Sequence, residues 1–329
     1  MKKIHFTHSY FYQFDPKQWE TKQPYPPLGT IYAAAVMREA GYNVSLFDTA
    51  LIDSPEKIIP VIEKEKPSFL VIYDDGFNYL TKMCLTNMRE AAFRMAEIAK
   101  TKDITVIMSS SDAADHYEKY LSHGVDFVVI GEGEMTLKEL ISTIDSGNTD
   151  FSKIDGLAFK EKGEVVRTSQ RQIVKELDSF PMPAWDLVDI DSYKKIWMES
   201  RGFFSLNIAT TRGCPFKCNW CAKPIYGNRY NCRSPKKVAE EIEFLIKNYG
   251  VEYFWMCDDI FGLKPGWVQE FRDVVKSKRL KFKYKIQSRV DLLLQEDTIA
   301  ALAESGAETE SNSKCLSCPM VVEFVDEQP

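Results

Sequence analysis

Long apolar runs are missing from this chain, and no stretch approaches the length of a membrane-spanning helix. Basic clusters are missing too. Lys+Arg of 42 against Asp+Glu of 48 gives a net charge of −6, which argues against nucleic acid or an anionic membrane as the main partner. The N-terminus, Met1-Lys2-Lys3-Ile4-His5-Phe6, runs straight into a strand-like pattern, with no apolar signal region before a small-residue cleavage site. The eight cysteines are therefore expected to be thiols of the reducing cytoplasm, not a disulfide framework. Histidine is scarce: His5, His8, His116 and His123 are all there are, and no D-x-H-x-x-G run occurs. The hydrophobic fraction of 44% is that of an ordinary globular protein, and 329 residues suggest two domains.

What is present is a cysteine cluster, Cys214-Pro215-Phe216-Lys217-Cys218-Asn219-Trp220-Cys221, with C-x3-C-x2-C spacing. Ser205 to Thr210 reads as a strand, and Thr211-Arg212-Gly213 turns out of it. The loop thus leaves the C-terminal end of a strand, where α/β folds place their chemistry. Three thiolates on one loop suit an iron–sulfur cluster or zinc. A zinc site needs a fourth ligand, and Cys232 is the nearest candidate, although it stands alone where a second C-x2-C hook is expected.

Upstream, short apolar strands alternate with helical patterns. Strands are expected at Ile4–His8, Asn43–Asp48, Ser68–Tyr73, Ile104–Met108 and Asp126–Ile130. Helices are expected after Pro26-Pro27-Leu28-Gly29, after the Ser54-Pro55 cap, over about Leu80–Lys100 and Ala113–Ser122, and from Thr136. This alternation predicts a doubly wound parallel sheet with ligands at the carboxyl ends of its strands. Those ends carry His8, Asp48, Asp74-Asp75-Gly76, Ser109-Ser110-Ser111 and Gly131-Glu132-Gly133-Glu134. The serine run suits either hydroxyl contacts to a ligand or an N-cap. Cys84 is expected to be a packed helix thiol.

The cysteine spacing, with Trp220 directly before the third cysteine, resembles the signature of the radical S-adenosylmethionine (SAM) superfamily. The resemblance implies a 4Fe–4S cluster on Cys214, Cys218 and Cys221, with SAM chelating the iron that lacks a cysteine. The preceding α/β block resembles the cobalamin-binding domain of the cobalamin-dependent subfamily, on Pro26-Pro27-Leu28-Gly29 and Gly131-Glu132-Gly133-Glu134. That implies cobalamin near Gly131, Glu132, Gly133 and Glu134, with no protein histidine on cobalt.

Gly156 to Ser169 reads as a hairpin, and Phe180-Pro181-Met182-Pro183 as an extended linker. The expected organisation is therefore a Rossmann-like domain over 1–148, a hairpin and proline-rich connector over 149–199, and a radical SAM TIM-like barrel over 200–329. In that barrel Ser234–Tyr249 reads as a helix, Tyr253–Met256 as the second strand, Pro265–Lys276 as a helix and Phe282–Gln287 as the third strand. The resemblance suggests Asp258 and Asp259 for the SAM amino group, with capping as the alternative. Arg289 suits the SAM carboxylate or a structural salt bridge. A complete radical SAM barrel is expected to hold more βα units than the three read here. After Gly306 a polar run and the pair Cys315 and Cys318 break the pattern, so the barrel is expected to be partial.

The family likeness implies reductive SAM cleavage to a 5′-deoxyadenosyl radical. With cobalamin it implies methyl transfer, radical rearrangement or cyclisation on a small-molecule or peptide substrate, with electrons from an external donor such as flavodoxin or ferredoxin. The alternative is a non-catalytic cobalamin- or metal-binding fragment.

Overall fold

Five short apolar strands form the first sheet: β1 (Lys3–Thr7), β2 (Asn43–Phe47), β3 (Phe69–Tyr73), β4 (Thr105–Ser109) and β5 (Phe127–Val129). They run parallel in the order β2-β1-β3-β4-β5 in the computed structural model, which describes residues 2–77, 85–218 and 225–308 and the backbone of 321–323. A parallel sheet covered on both faces needs continuous apolar strands, and β3 is buried at every residue. On one face Leu70, Ile72, Val106, Met108 and Val128 share a core with Ile58, Ile62, Met95 and Tyr120. These last come from the helices Ile58–Glu65, Thr86–Lys100 and Tyr117–Ser122. The helices Leu28–Glu39 and Glu134–Asp145 pack against each other, and the first is buried from Leu28 to Met37. Each fully buried Leu or Ile contributes about 2 kcal/mol.

Two elements differ from the sequence pattern. Ser110 caps a short helix, Ser111–Asp115, by accepting the Ala113 amide at 2.9 Å, and His116 then breaks the expected single helix in two. The hairpin β6 (Leu157–Glu161) and β7 (Glu164–Arg167), read from sequence as part of the connector, extends the first sheet instead. β6 pairs antiparallel with β5 because Leu157, Ala158 and Phe159 are apolar enough to be buried there, while β7 forms a mostly exposed edge. The first compact unit accordingly runs to Val174 and also takes in Phe180–Asp189. Within it the Ala184 amide donates to Ile31 O at 3.1 Å, and Arg38 grips Asp186 through both carboxylate oxygens.

The second unit contains a helix not seen in the sequence, Ile190–Arg201, and then β8 (Ser205–Ile208), β9 (Thr211–Arg212), β10 (Asn231–Cys232), β11 (Tyr253–Met256), β12 (Lys283–Lys285) and β13 (Gln287–Arg289). β8, β11 and β12 are parallel in the order β12-β11-β8. The crossovers are the helices Pro235–Tyr249 and Trp267–Lys278. Ser234 caps the first by accepting the Lys237 amide at 3.2 Å, and Gly250, at φ 68°, ends it in the left-handed conformation that glycine adopts freely.

After the helix Thr298–Ser305 the chain returns to the sheet: Ala307 bridges Tyr284 in parallel, with hydrogen bonds of 3.0 Å on either side. This single bridge stands at the edge of the β12-β11-β8 sheet. Residues 309–320, with Cys315 and Cys318, lie outside the described residues, as does Cys84. β14 (Val321–Glu323) pairs antiparallel with β13. No described helix is long and apolar enough to cross a membrane.

Candidate cluster and cofactor sites

The cysteine loop leaves the carboxyl end of β8 and is closed at its base by a two-stranded ribbon. Thr211 opposes Cys232 and Arg212 opposes Asn231. Cys214 is half-buried and Cys218 exposed, and neither is in a disulfide. Trp220 and Cys221 lie outside the described residues. Cys232 sits in the ribbon itself, where burial pushes its thiol pKa up and keeps it protonated.

Asp258, at the end of β11, is 2% exposed. One carboxylate oxygen accepts the Thr210 and Thr211 amides at 2.7 and 2.8 Å, and the other accepts the Thr210 hydroxyl at 2.5 Å. Burial pushes this carboxyl up to about 6, with the threonine hydrogen bonds acting against the rise. The side chain thus holds the turn that launches the cysteine loop. Its neighbour Asp259 is exposed. Cys257 is buried, with its thiol 3.3 Å from Ile208 O, as a packing residue.

Arg289 ends β13. Its guanidinium meets both Asp291 oxygens at 2.8 and 3.2 Å and lies 3.9 Å from the centroid of the Phe216 ring, inside the cysteine loop. The salt bridge expected as one alternative is present, and Phe216 is a partner that sequence reasoning missed. Behind the loop, Arg233 pairs with the fully buried Glu241 at 2.6 Å and donates to Ala209 O at 2.9 Å.

In the first unit the strand order reverses between β1 and β3, which marks the ligand crevice of a doubly wound sheet. Asp74 at the end of β3 accepts the Ser9 amide and hydroxyl at 2.7 and 2.8 Å, and burial raises its pKa against those hydrogen bonds. Asp75 accepts the Gly29 amide at 3.1 Å and so holds the first turn of the helix Leu28–Glu39. The close approach explains the glycine: a Cβ there would lie 3.1 Å from Asp75. His8 Nε2 is 2.8 Å from Asp48, and the ring, 2% exposed, also contacts Thr49. It is held inside the protein rather than offered to a metal.

The Gly131–Glu134 string has separable jobs. Gly131 has φ +84°, and a Cβ there would find only the Ile225 carbonyl oxygen, 4.0 Å away. Glu132 accepts the Val174 amide at 2.5 Å, tying the chain beyond the hairpin to the end of β5. Gly133 is pressed by Tyr73 and Ser109, whose side chains would lie 2.8 and 3.0 Å from a Cβ. Glu134 is buried in the first turn of its helix. Gly131 is half-buried just past the carboxyl end of β5.

Residues 20–141 match the B12 binding domain family, and residues 208–310 match the Radical SAM superfamily. The chain thus carries a B12 binding domain followed by a Radical SAM domain. It is 29% identical over 306 residues to an uncharacterized methyltransferase, PH0819, of Pyrococcus horikoshii, covering 91% of this chain and 63% of that protein. It is 26% identical over 288 residues to the anaerobic magnesium-protoporphyrin IX monomethyl ester cyclase of Synechocystis, covering 85% of this chain and 54% of that one. The chain therefore spans about half to two-thirds of the length of these relatives. The fold is shared with the radical SAM methyltransferase TsrM of Kitasatospora setae (TM-score 0.71, 16% identity, 94% of this chain and 58% of that one). It is also shared with the cobalamin-dependent radical enzyme OxsB (TM-score 0.73, 16% identity, 94% and 43%). The cofactors of this subfamily are a 4Fe–4S cluster, SAM and cobalamin. The residues present fit them: thiols on a loop at a strand end with a cation beside their loop, and a glycine, Gly131, at the end of β5 where the B12 binding domain matches.

Proposed function

We propose that the chain carries the cofactor-binding part of a cobalamin-dependent radical SAM methyltransferase. The observation that carries this reading is the ribbon-closed loop at the end of β8, bearing Cys214 and Cys218 in a parallel βα sheet, in the same chain as a B12 binding domain. Cys214, Cys218 and Cys221 are assigned to the cluster, Trp220 and Asp259 to SAM, and Gly131, Glu132, Gly133 and Glu134 to the cobalamin site. When bound, these cofactors supply a 5′-deoxyadenosyl radical and a cobalt methyl carrier. The chain's own part is to fix the thiolates, exclude water and hold the ligands in register. Asp258 does this by pinning the turn before Cys214, and Asp75 by pinning the helix that starts at Leu28.

The methyltransferase names among the relatives favour methyl transfer to a small molecule or peptide, and the cyclase relatives make radical cyclisation the second reading. The site calls for a reducing compartment, the cytoplasm, and a one-electron donor of the flavodoxin or ferredoxin kind. The test is anaerobic reconstitution with iron, sulfide and cobalamin, followed by assay for 5′-deoxyadenosine and S-adenosylhomocysteine under a strong reductant. Iron and cobalamin uptake with SAM turnover supports the proposal. A chain that takes up zinc in place of iron, and no cobalamin, overturns it.

A further inference from the structure

We propose that Arg289 is a positioning residue for the cysteine loop, and that its charge makes the cluster held there easier to reduce. This rests on the cluster reading above. Phe216 stands between Cys214 and Cys218, and the Arg289 guanidinium covers its ring at 3.9 Å. A guanidinium on an aromatic face is a directional contact, and it is strongest where water is excluded. Asp291 fixes the fork of the guanidinium from the other side through two hydrogen bonds. The loop is thereby clamped at a point between two ligands by a residue on β13, independently of the ribbon at its base.

The electrostatic half follows from the same geometry. Phe216 is two residues from both Cys214 and Cys218, so a guanidinium 3.9 Å from its ring centroid lies close to both ligands. A cluster that gains one electron from titanium(III), which becomes titanium(IV), adds negative charge beside thiolates that are already negative. A nearby cation favours that state. Asp291 opposes it, but the two charges do not cancel. The Asp291 side chain is 54% exposed and screened by water, whereas Arg289 is 16% exposed.

The experiment uses the full chain reconstituted anaerobically, with iron and sulfide analysis and an EPR-monitored reductive titration. Arg289→Gln is expected to shift the cluster midpoint to a more negative potential, and Asp291→Asn to a less negative one. Arg289→Lys keeps the charge and is expected to stay nearer the wild type. Phe216→Leu removes the aromatic face but not the charge. It is expected to lose iron faster on gel filtration while whatever cluster remains keeps the wild-type sign of response to Asp291→Asn. Equal midpoints in wild type and Asp291→Asn, or a shift of the opposite sign, overturn the charge role. That variant lies on the surface and decides the point even if Arg289→Gln does not fold. Wild-type iron retention in both Phe216→Leu and Arg289→Lys overturns the positioning role. A wild-type chain that binds no iron and sulfide defeats the cluster reading itself, visibly and before any variant is compared.

Discussion

Asp258 receives both the amide and the hydroxyl hydrogen of Thr210, one on each carboxylate oxygen. Asp74 treats Ser9 in the same way in the other unit. In each case an aspartate at the end of one parallel strand grips a hydroxyl residue just past the end of its neighbour, β11 to β8 and β3 to β1. Two adjacent strand ends are locked together where each sheet presents its ligand face, and the carboxylates are consumed in doing so.

That grip has a pH signature. Asp258 titrates at about 6 in the folded chain, against 3.8 for the ordinary carboxyl. Between these values the folded state holds the extra proton, so this group's contribution to stability falls as pH rises through the window. The span is on the order of 3 kcal/mol. Asp258→Asn removes the titration. The difference in urea midpoint, variant minus wild type, is expected to grow from pH 4 to pH 6 and level off above. A constant difference would show that the carboxyl does not titrate there.

His5 is expected to act in the opposite direction. It is buried on β1, its Nδ1 meets Ser45 Oγ at 2.7 Å, and burial lowers its pKa from 6.5 to about 4. The unfolded chain binds the proton first as pH falls, so stability is lost between pH 6.5 and 4. His5→Gln keeps a polar group toward Ser45 without the titration. Its urea midpoint is expected to gain on the wild type as the solution is acidified, and parallel curves would refute the assignment.

Iron binding is expected to need the loop cysteines and not Cys232. Cys232→Ser should keep iron and sulfide after anaerobic reconstitution, whereas the combined Cys214→Ala, Cys218→Ala, Cys221→Ala variant should keep none. Metal analysis of the desalted proteins decides this. Full iron in the triple variant would place the metal elsewhere.

Cobalamin bound to this chain is expected to show the visible spectrum of a cobalt without an imidazole ligand. His8 is spoken for by Asp48 and Thr49. His8→Ala should therefore leave the spectrum of the bound cofactor unchanged. A change in the cobalt absorption bands of that variant would mean that His8 turns outward on binding.

Most of the framework was legible because it follows local rules. Continuous apolar runs marked the buried parallel strands, and Ser234-Pro235 with Gly250 marked both ends of a helix. The hairpin's membership of the first sheet was not legible. Three apolar residues, Leu157 to Phe159, say that a strand is buried but not against which neighbour. The helix Ile190–Arg201 was hidden behind the proline segment. The loop that carries Cys214 and Cys218 at a strand end was legible from the apolar strand before it and the turn Thr211-Arg212-Gly213. The roles of Asp258 and Arg289 were not, because a carboxylate or guanidinium at a strand end reads the same whether it meets a ligand, an amide or a ring. Only the third dimension supplied Thr210 and Phe216. Ala307 shows a related limit: a single bridge has no period to detect.

The ribbon between Thr211–Arg212 and Asn231–Cys232 makes the cysteine loop a graft with its own stem. Its two ends are held at strand-pair spacing by their own pairing. Doubling the length of such an excursion costs only about 0.6 kcal/mol in closure entropy. Changes in length close to the stem therefore cost little in closure, whereas Tyr226, whose ring centroid lies 5.7 Å from that of Phe77, ties the far part of the segment to the first unit.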